Sequence, residues 1–126
     1  TVVHFDKTNS DPQGWYNSGT YRITPTVSGY YLVEFQVALE TGTGSASNQN
    51  NIQIRKTSGG TTTSFALSQD NLYIGSNAKT FTTFGVVQLN GTDYIECTVY
   101  NGGTASQNIR GTSDGAWTKV TLTKLQ

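Results

Sequence analysis

Gly29-Tyr30-Tyr31-Leu32-Val33-Glu34-Phe35-Gln36-Val37-Ala38-Leu39 is the stretch that decides the fold of this chain. Its odd-numbered positions are all apolar, whereas its even-numbered positions mix apolar, amide and acidic side chains. This period of two is typical of a β-strand with one core-facing side, because a helix would repeat its apolar residues three and four apart. Pro25 and Gly29 precede the alternation, as at a turn. We therefore predict a central strand over residues 29–39.

The composition extends this prediction to the whole chain. The sequence has 126 residues, the length of one domain, with 21 Thr, 14 Gly and 10 Asn and only 13% charged residues. Thr, Tyr, Val and Ile favour strands, and Gly, Asn and Ser favour the turns between them. We predict an all-β fold, a two-sheet jelly-roll sandwich of about eight to ten antiparallel strands that occupies residues 1–126 as a single domain.

Alternation and turn residues locate the other elements. Short strands are predicted at 2–5 and 20–24, the arms of a hairpin at 51–55 and 61–67, and further strands at 79–89, 94–100 and 116–125. The inward positions of two of these strands are Ile52 and Ile54, and Ile95, Cys97 and Val99. Residues 41–50 and 104–115 lack periodicity and are predicted to be surface loops, with a connection over 68–77.

Charge and hydropathy exclude several partners. The 8 basic and 8 acidic residues are spread singly, so no basic patch is available for nucleic acid or for an anionic membrane surface. No apolar run approaches the length of a membrane span, and no signal-peptide pattern opens the chain. The single cysteine, Cys97, excludes an internal disulfide and leaves the cellular compartment open.

The residues that usually carry catalysis form no recognisable pattern. His4 has no His or Cys partner at a metal-binding spacing, and Cys97 alternates with Ile95 and Val99 like a small buried hydrophobe. The acids in or beside turns are compatible with calcium binding or a glycosidase pair, but ordinary turn chemistry is favoured for Asp6, Asp11, Asp70, Asp93 and Asp114. We predict a protein that is not an enzyme, with no catalytic residues, cofactor or metal.

Several segments follow one another in a familiar order. They are Val3-His4-Phe5-Asp6, the aromatic stretch 15–21, the Pro25-Thr26-Val27-Ser28-Gly29-Tyr30 turn into the central strand, residues 51–56 and residues 87–95. In this order they resemble the complement 1q globular-head and tumour necrosis factor-like superfamily. The chain departs from the family pattern at Thr92, which is inserted between Gly91 and Asp93, and at 115–122, where the family's Gly-Phe is missing.

The resemblance implies a ten-stranded jelly roll that forms compact trimers and binds rather than catalyses. In the family, the outer face of one sheet packs around the threefold axis, which makes Tyr30, Leu32 and Trp117 the predicted trimer interface. The composition, rich in Thr, Gly and Asn, is similar to that of the versions found on phage and virus particles or on spore surfaces.

Two functions remain open at this point. The first is a non-enzymatic trimeric domain on a virion surface, as a head decoration, cement or fibre head, which binds a neighbouring structural protein or a host-surface protein or glycan. An extracellular or spore-surface location is the alternative. Its predicted contact residues lie in the two polar loops: Thr43, Ser45, Asn48, Gln49, Gln107, Asn108 and Arg110. The second is a monomeric carbohydrate-binding sandwich, in which Trp15 and Trp117 stack on sugars.

Overall fold

The computed structural model describes residues 1–6, 8, 10–40, 47–73, 79–102, 107–111 and 117–126, without the side chains of 47, 48 and 71–73. These ranges contain strands and no helix, and therefore no helix able to cross a bilayer. The strands are β1 (Tyr16–Asn17), β2 (Arg22–Ile23), β3 (Gly29–Leu39), β4 (Ser47–Ser58), β5 (Thr61–Tyr73), β6 (Lys79–Leu89), β7 (Tyr94–Asn101), β8 (Ile109–Arg110) and β9 (Lys119–Lys124). The prediction of an all-β fold with eight to ten strands is confirmed.

The strands form two antiparallel sheets. One sheet has five strands in the order β1-β2-β7-β4-β5, and the other has β6 on one edge of β3 and both β8 and β9 on its opposite edge. The register places Val33 opposite Gly85 of β6 and opposite Leu122 of β9. The central strand predicted over 29–39 has those bounds in the structure, and β6 pairs with it along its whole length.

The core lies between the two sheets. The odd-numbered residues of β3 from Tyr31 to Leu39 are buried, with Tyr31, Val33, Phe35 and Val37 at 0% exposure. The facing sheet contributes residues predicted to point inward, namely Ile52, Ile54, Ile95, Cys97 and Val99, and all five are buried. Full burial of one such aliphatic or aromatic side chain is worth about 1.5–3 kcal/mol. This shared core fixes which face of each strand is left for solvent.

Two predicted connections are wrong because they belong to strands. β4 begins at Ser47, inside the predicted loop 41–50, and β5 continues to Tyr73, inside the predicted connection 68–77. These polar segments are extended because they pair with each other, and β4 also pairs with β7: Asn50 is opposite Asp70 on one side and Asn101 on the other. Backbone pairing with neighbouring strands replaces the missing side-chain alternation. Residues 41–46 and 74–77 lie outside the described residues.

Three shorter predictions also need correction. The strand predicted over 2–5 is an isolated bridge between Val2 and Thr98. The strand predicted over 20–24 is reduced to β2, since Tyr21 has a φ of 59°, a left-handed conformation that interrupts an extended chain. The predicted loop 104–115 contains β8, which pairs with the end of β3.

Candidate functional site

The solvent-facing side of the four-stranded sheet carries a cluster of apolar side chains. Because the odd residues of β3 are buried, its even residues face outward, together with the even residues of β6. Exposure is 49% at Tyr30, 69% at Phe84 and 57% at Val86. Leu32 is paired with Val86, and Leu125 (49% exposed) donates its backbone N–H to Tyr30 O. We call Tyr30, Leu32, Phe84, Val86 and Leu125 the outer apolar patch.

The solvent-facing side of the five-stranded sheet is different. There the guanidinium of Arg22 pairs with Glu96 at 3.0 Å and lies 4.1 Å from the centre of the Tyr94 ring. The neighbouring strand β4 adds Arg55, which is exposed and lies opposite Glu96 in the strand register. Charged groups therefore meet on this face, whereas the outer apolar patch lies on the other sheet.

The three predicted interface residues do not lie together. Tyr30 and Leu32 belong to the outer apolar patch, but Trp117 lies beside the far end of β3, where its carbonyl accepts from Gln36 Nε2 at 3.3 Å. From Leu32 to Ala38, which donates to Thr118 Oγ1, is about 20 Å along a strand. The ring of Trp117 is covered by the guanidinium of Arg110 at 4.6 Å.

Phe84 and Val86 are members of the patch that the sequence did not single out. β6 is apolar on both faces, with Phe81, Val87 and Leu89 on one side and Phe84 and Val86 on the other. Alternation alone does not show which face is buried. The pairing of β6 with the odd, core-facing residues of β3 decides it, and that register is not readable from the strand's own sequence.

The predicted contact residues in the two loops have separate outcomes. Thr43 and Ser45 lie outside the described residues, as does the side chain of Asn48. Asn48 and Gln49 belong to strand β4 rather than to a loop. Gln107 is half-buried, whereas Asn108 and Arg110 are exposed.

The described members of this set gather at one end of the sandwich. Gln49 O accepts from Gly102 N at 2.8 Å, and Asn108 O accepts from Glu40 N at 2.9 Å. An ion pair between Lys79 and Asp70 joins the start of β6 to the β5 segment opposite Asn50. This end of β3 is the one distant from Tyr30, so the polar end and the outer apolar patch are separate surfaces.

The two tryptophans occupy different environments. The ring of Trp15 meets Tyr31 edge-to-face with centroids 5.9 Å apart, and its Nε1 donates to Thr26 Oγ1 at 3.3 Å. The carbonyl of Trp117 accepts from Gln36, five residues further along β3, a separation of about 17 Å. A single sugar therefore cannot stack on both rings.

The titratable side chains mostly hold turns and strands together. Both carboxylate oxygens of Asp11 accept backbone N–H groups, from Trp15 and Tyr16, each at 2.9 Å. His4 stacks on Tyr21 with ring centroids 3.5 Å apart. Cys97 is buried, and burial raises the pKa of its thiol. Within the described residues, no three His, Cys, Asp or Glu side chains gather as metal ligands.

Asp93 forms the most deeply buried of the described ion pairs. Its carboxylate is 2% exposed and lies 3.0 Å from Lys56 Nζ, which also donates to Gln88 O at 2.7 Å. Burial would raise the pKa of Asp93, but hydrogen bonds from Ser58, Lys56 and the backbone of Asn90 and the charge of Lys56 hold it below its usual value. This pair ties the turn between β6 and β7 to β4.

No protein-family model matches the chain, and no curated protein matches its sequence significantly. Function is therefore inferred from the surfaces described above.

Proposed function

We propose that this chain is a non-enzymatic domain of a particle surface, a virion decoration, cement or fibre head, that assembles as a homotrimer and binds a neighbouring structural protein or a host surface. The observation that carries the proposal is the outer apolar patch. Monomeric proteins rarely expose contiguous apolar clusters of this kind, and larger ones mark interaction sites.

The energetic gain from covering the patch is substantial. An aromatic side chain buries about 150–250 Å² when fully enclosed, and Phe84 leaves about two-thirds of its area exposed. Covering that area is worth about 3 kcal/mol per protomer at 25 cal/mol per Å², before the entropy of association is subtracted. Tyr30, Val86 and Leu125 add to this value, so the patch suits the centre of an interface.

The surroundings of the patch also favour self-association over binding of a charged partner. The same face carries threonines at Thr80, Thr82, Thr121 and Thr123, and the charged residues at its described strand positions are Glu34, Lys119 and, near the Leu39 end, Arg110. A depleted charge and an aromatic centre are typical of the core of homo-oligomer interfaces. The trimeric stoichiometry itself rests on the family resemblance.

A trimer built on this face leaves the polar end of the sandwich available. The outer apolar patch lies at the Tyr30 end of β3, and Gln49, Asn108 and Arg110 lie near its Leu39 end. Their amide and guanidinium groups suit hydrogen bonding to another protein or to a glycan. This arrangement supports a division between an assembly surface and a partner surface.

The test is the solution mass by multi-angle light scattering, of the wild type and of Phe84→Glu. We expect a wild-type trimer of about three times 13.6 kDa and a monomeric Phe84→Glu, because a charge at the centre of a closed interface loses its hydration. Leu67→Glu is the matched control, since Leu67 is 54% exposed but lies on the other sheet, and it should stay trimeric.

Trp117→Glu separates the two ends of β3. If the interface is confined to the outer apolar patch, this variant keeps the wild-type mass, and if the interface extends along the strand it dissociates. A monomeric wild type at about 100 μM would refute assembly of the isolated chain. A dimer would retain the patch as an interface but refute the trimer.

A further inference from the structure

A cleft of about 430 Å³ opens between the two sheets on the side of β9. Its size lies within the range of about 300–1,000 Å³ that is usual for ligand sites. Phe5, Trp15 and Tyr16 line it from the five-stranded side, and Thr8, Ser10 and Gln13 add hydroxyl and amide groups. This cleft is distinct from the outer apolar patch, because it lies between the sheets.

One wall of the cleft is made of five consecutive residues, 118–122. Side chains of consecutive strand residues point to opposite faces, so the feature that all five share is the backbone edge of the strand. β9 pairs with β3 along its other edge, and no other described strand pairs with β9. The cleft is therefore bordered by the open edge of β9.

The hydrogen-bond pattern shows which backbone groups are open. Tyr30 O accepts from Leu125 N, and Glu40 N donates to Asn108 O, so even residues of β3 direct their backbone groups toward β9 and β8. The β9 residues opposite these even residues of β3 are Lys119, Thr121 and Thr123, so these three direct their backbone groups toward β3. Because antiparallel residues alternate in direction, Val120 and Leu122 direct their N–H and C=O groups away from β3, into the cleft.

The same two residues join the open edge to an apolar floor. The side chains of Val120 and Leu122 point inward and pack partly buried against the core, as do Phe5, Trp15 and Tyr16. An extended peptide added beside β9 would gain backbone hydrogen bonds and would place every second side chain on this floor. That combination is how strand addition gives both affinity and specificity.

The charges on β9 indicate which kind of strand can bind at its open edge. β9 carries Lys119 and Lys124 and no acid, and the carboxylate of Asp11 at the cleft is already bonded to two backbone N–H groups. A second copy pairing antiparallel through its own β9 would bring two further lysines and no acid to this edge, and so would leave Lys119 and Lys124 without a countercharge. The cleft therefore suits a foreign strand with acids near its ends.

We propose that the open edge of β9 and the adjoining cleft bind an extended segment of a partner protein, with apolar residues opposite Val120 and Leu122 and acidic residues opposite Lys119 and Lys124. In antiparallel register, this partner strand reads acid-polar-apolar-polar-apolar-acid. The site does not depend on trimerisation, so it stands or falls separately from the outer apolar patch.

The probe is the synthetic peptide acetyl-Glu-Thr-Val-Thr-Val-Glu-amide, titrated into the ¹⁵N-labelled full chain. In the free protein, the amides of Thr121 and Thr123 should exchange slowly with solvent and those of Val120 and Leu122 should exchange fast. With the peptide at about 1 mM, the resonances of Val120 and Leu122 should shift and their exchange should slow.

Two control peptides isolate the contacts. N-methylation of both valines keeps the apolar side chains but removes the N–H groups that would bond to β9, and should abolish binding. Replacing both Glu by Lys should weaken binding about tenfold, with a difference that shrinks in high salt. Val120→Pro removes an N–H that β3 does not use, and a folded variant should lose peptide binding.

Several results would overturn the proposal. Slow exchange at Val120 and Leu122 without peptide would mean that the edge is already paired. No shift at these amides with the Glu peptide, or equal binding of its N-methylated form, would exclude strand addition. Shifts at the same amides with oligosaccharides but not with the peptide would assign the cleft to sugars instead.

Discussion

Replacement of Asp93 by asparagine removes one charge from a buried ion pair that connects three strands. Asp93 precedes β7, Lys56 lies on β4, and Lys56 also donates to Gln88 O on β6. Removing one partner from a fully buried pair costs about 3–5 kcal/mol. Lys56 is 24% exposed and regains part of its hydration, so we expect a loss of about 2–3 kcal/mol and a fall in Tm of about 8–12 °C.

The free energy of unfolding that Asp93→Asn loses should become smaller as the pH falls. The pKa of Asp93 is lower in the folded chain than the value of about 3.9 expected when it is unfolded. Its contribution to the free energy of unfolding is therefore fully present above about pH 4 and disappears as the pH falls through the folded-state pKa. Wild type and Asp93→Asn should differ most near pH 7 and converge in strong acid.

Urea unfolding followed by tryptophan fluorescence at pH 7 and at pH 3 measures both effects. Lys56→Met should cost more than Asp93→Asn, since it leaves a carboxylate that is 2% exposed without its cation. Glu96→Gln is the control, because the Arg22–Glu96 pair is partly exposed and such pairs contribute about 0–1 kcal/mol. A loss below about 0.5 kcal/mol at pH 7, or a loss unchanged at pH 3, would refute the reasoning.

Two further outcomes can be checked on the same material. Gly91→Ala should destabilise the chain by about 1 kcal/mol more than Gly14→Ala. Both glycines have positive φ, but only a Cβ at Gly91 would meet Thr26 O, at 3.0 Å. Equal decreases in Tm for the two variants would show that this contact does not affect stability. The thiol of Cys97 should react with a disulfide reagent at pH 8 only as fast as the chain unfolds, because burial raises its pKa and blocks access. Rapid labelling of the native chain would contradict its buried position.

Strands with strong apolar alternation were predicted with the correct bounds, whereas polar segments that were predicted as loops from their composition proved to be parts of strands. β3 and β6 have the bounds expected from the sequence, because each has buried residues at every second position. The ends of β4 and β5 were missed, because their polar residues are held extended by partners on neighbouring strands. A single sequence shows what a strand buries and not what it pairs with.

The outer apolar patch was predicted only in part for a related reason. Tyr30 and Leu32 were named because their strand has an unambiguous buried face, whereas Phe84 and Val86 share a strand with Phe81 and Val87. Trp117 was grouped with them because alternation puts it on the face of the last predicted strand opposite Val120 and Leu122. The register and the hydrogen bond from Gln36 to its carbonyl place it near the other end of β3.

The position of β9 has a consequence for how the chain is made. β4 and β5 meet across the two glycines Gly59 and Gly60 and can pair as soon as they leave the ribosome. β3 pairs with β9 more than 80 residues later, so one edge of the central strand stays unprotected through most of synthesis. Among the described strands, β9 is the latest in sequence and covers most of this edge, and the interval before it is made is when β3 is most open to aggregation.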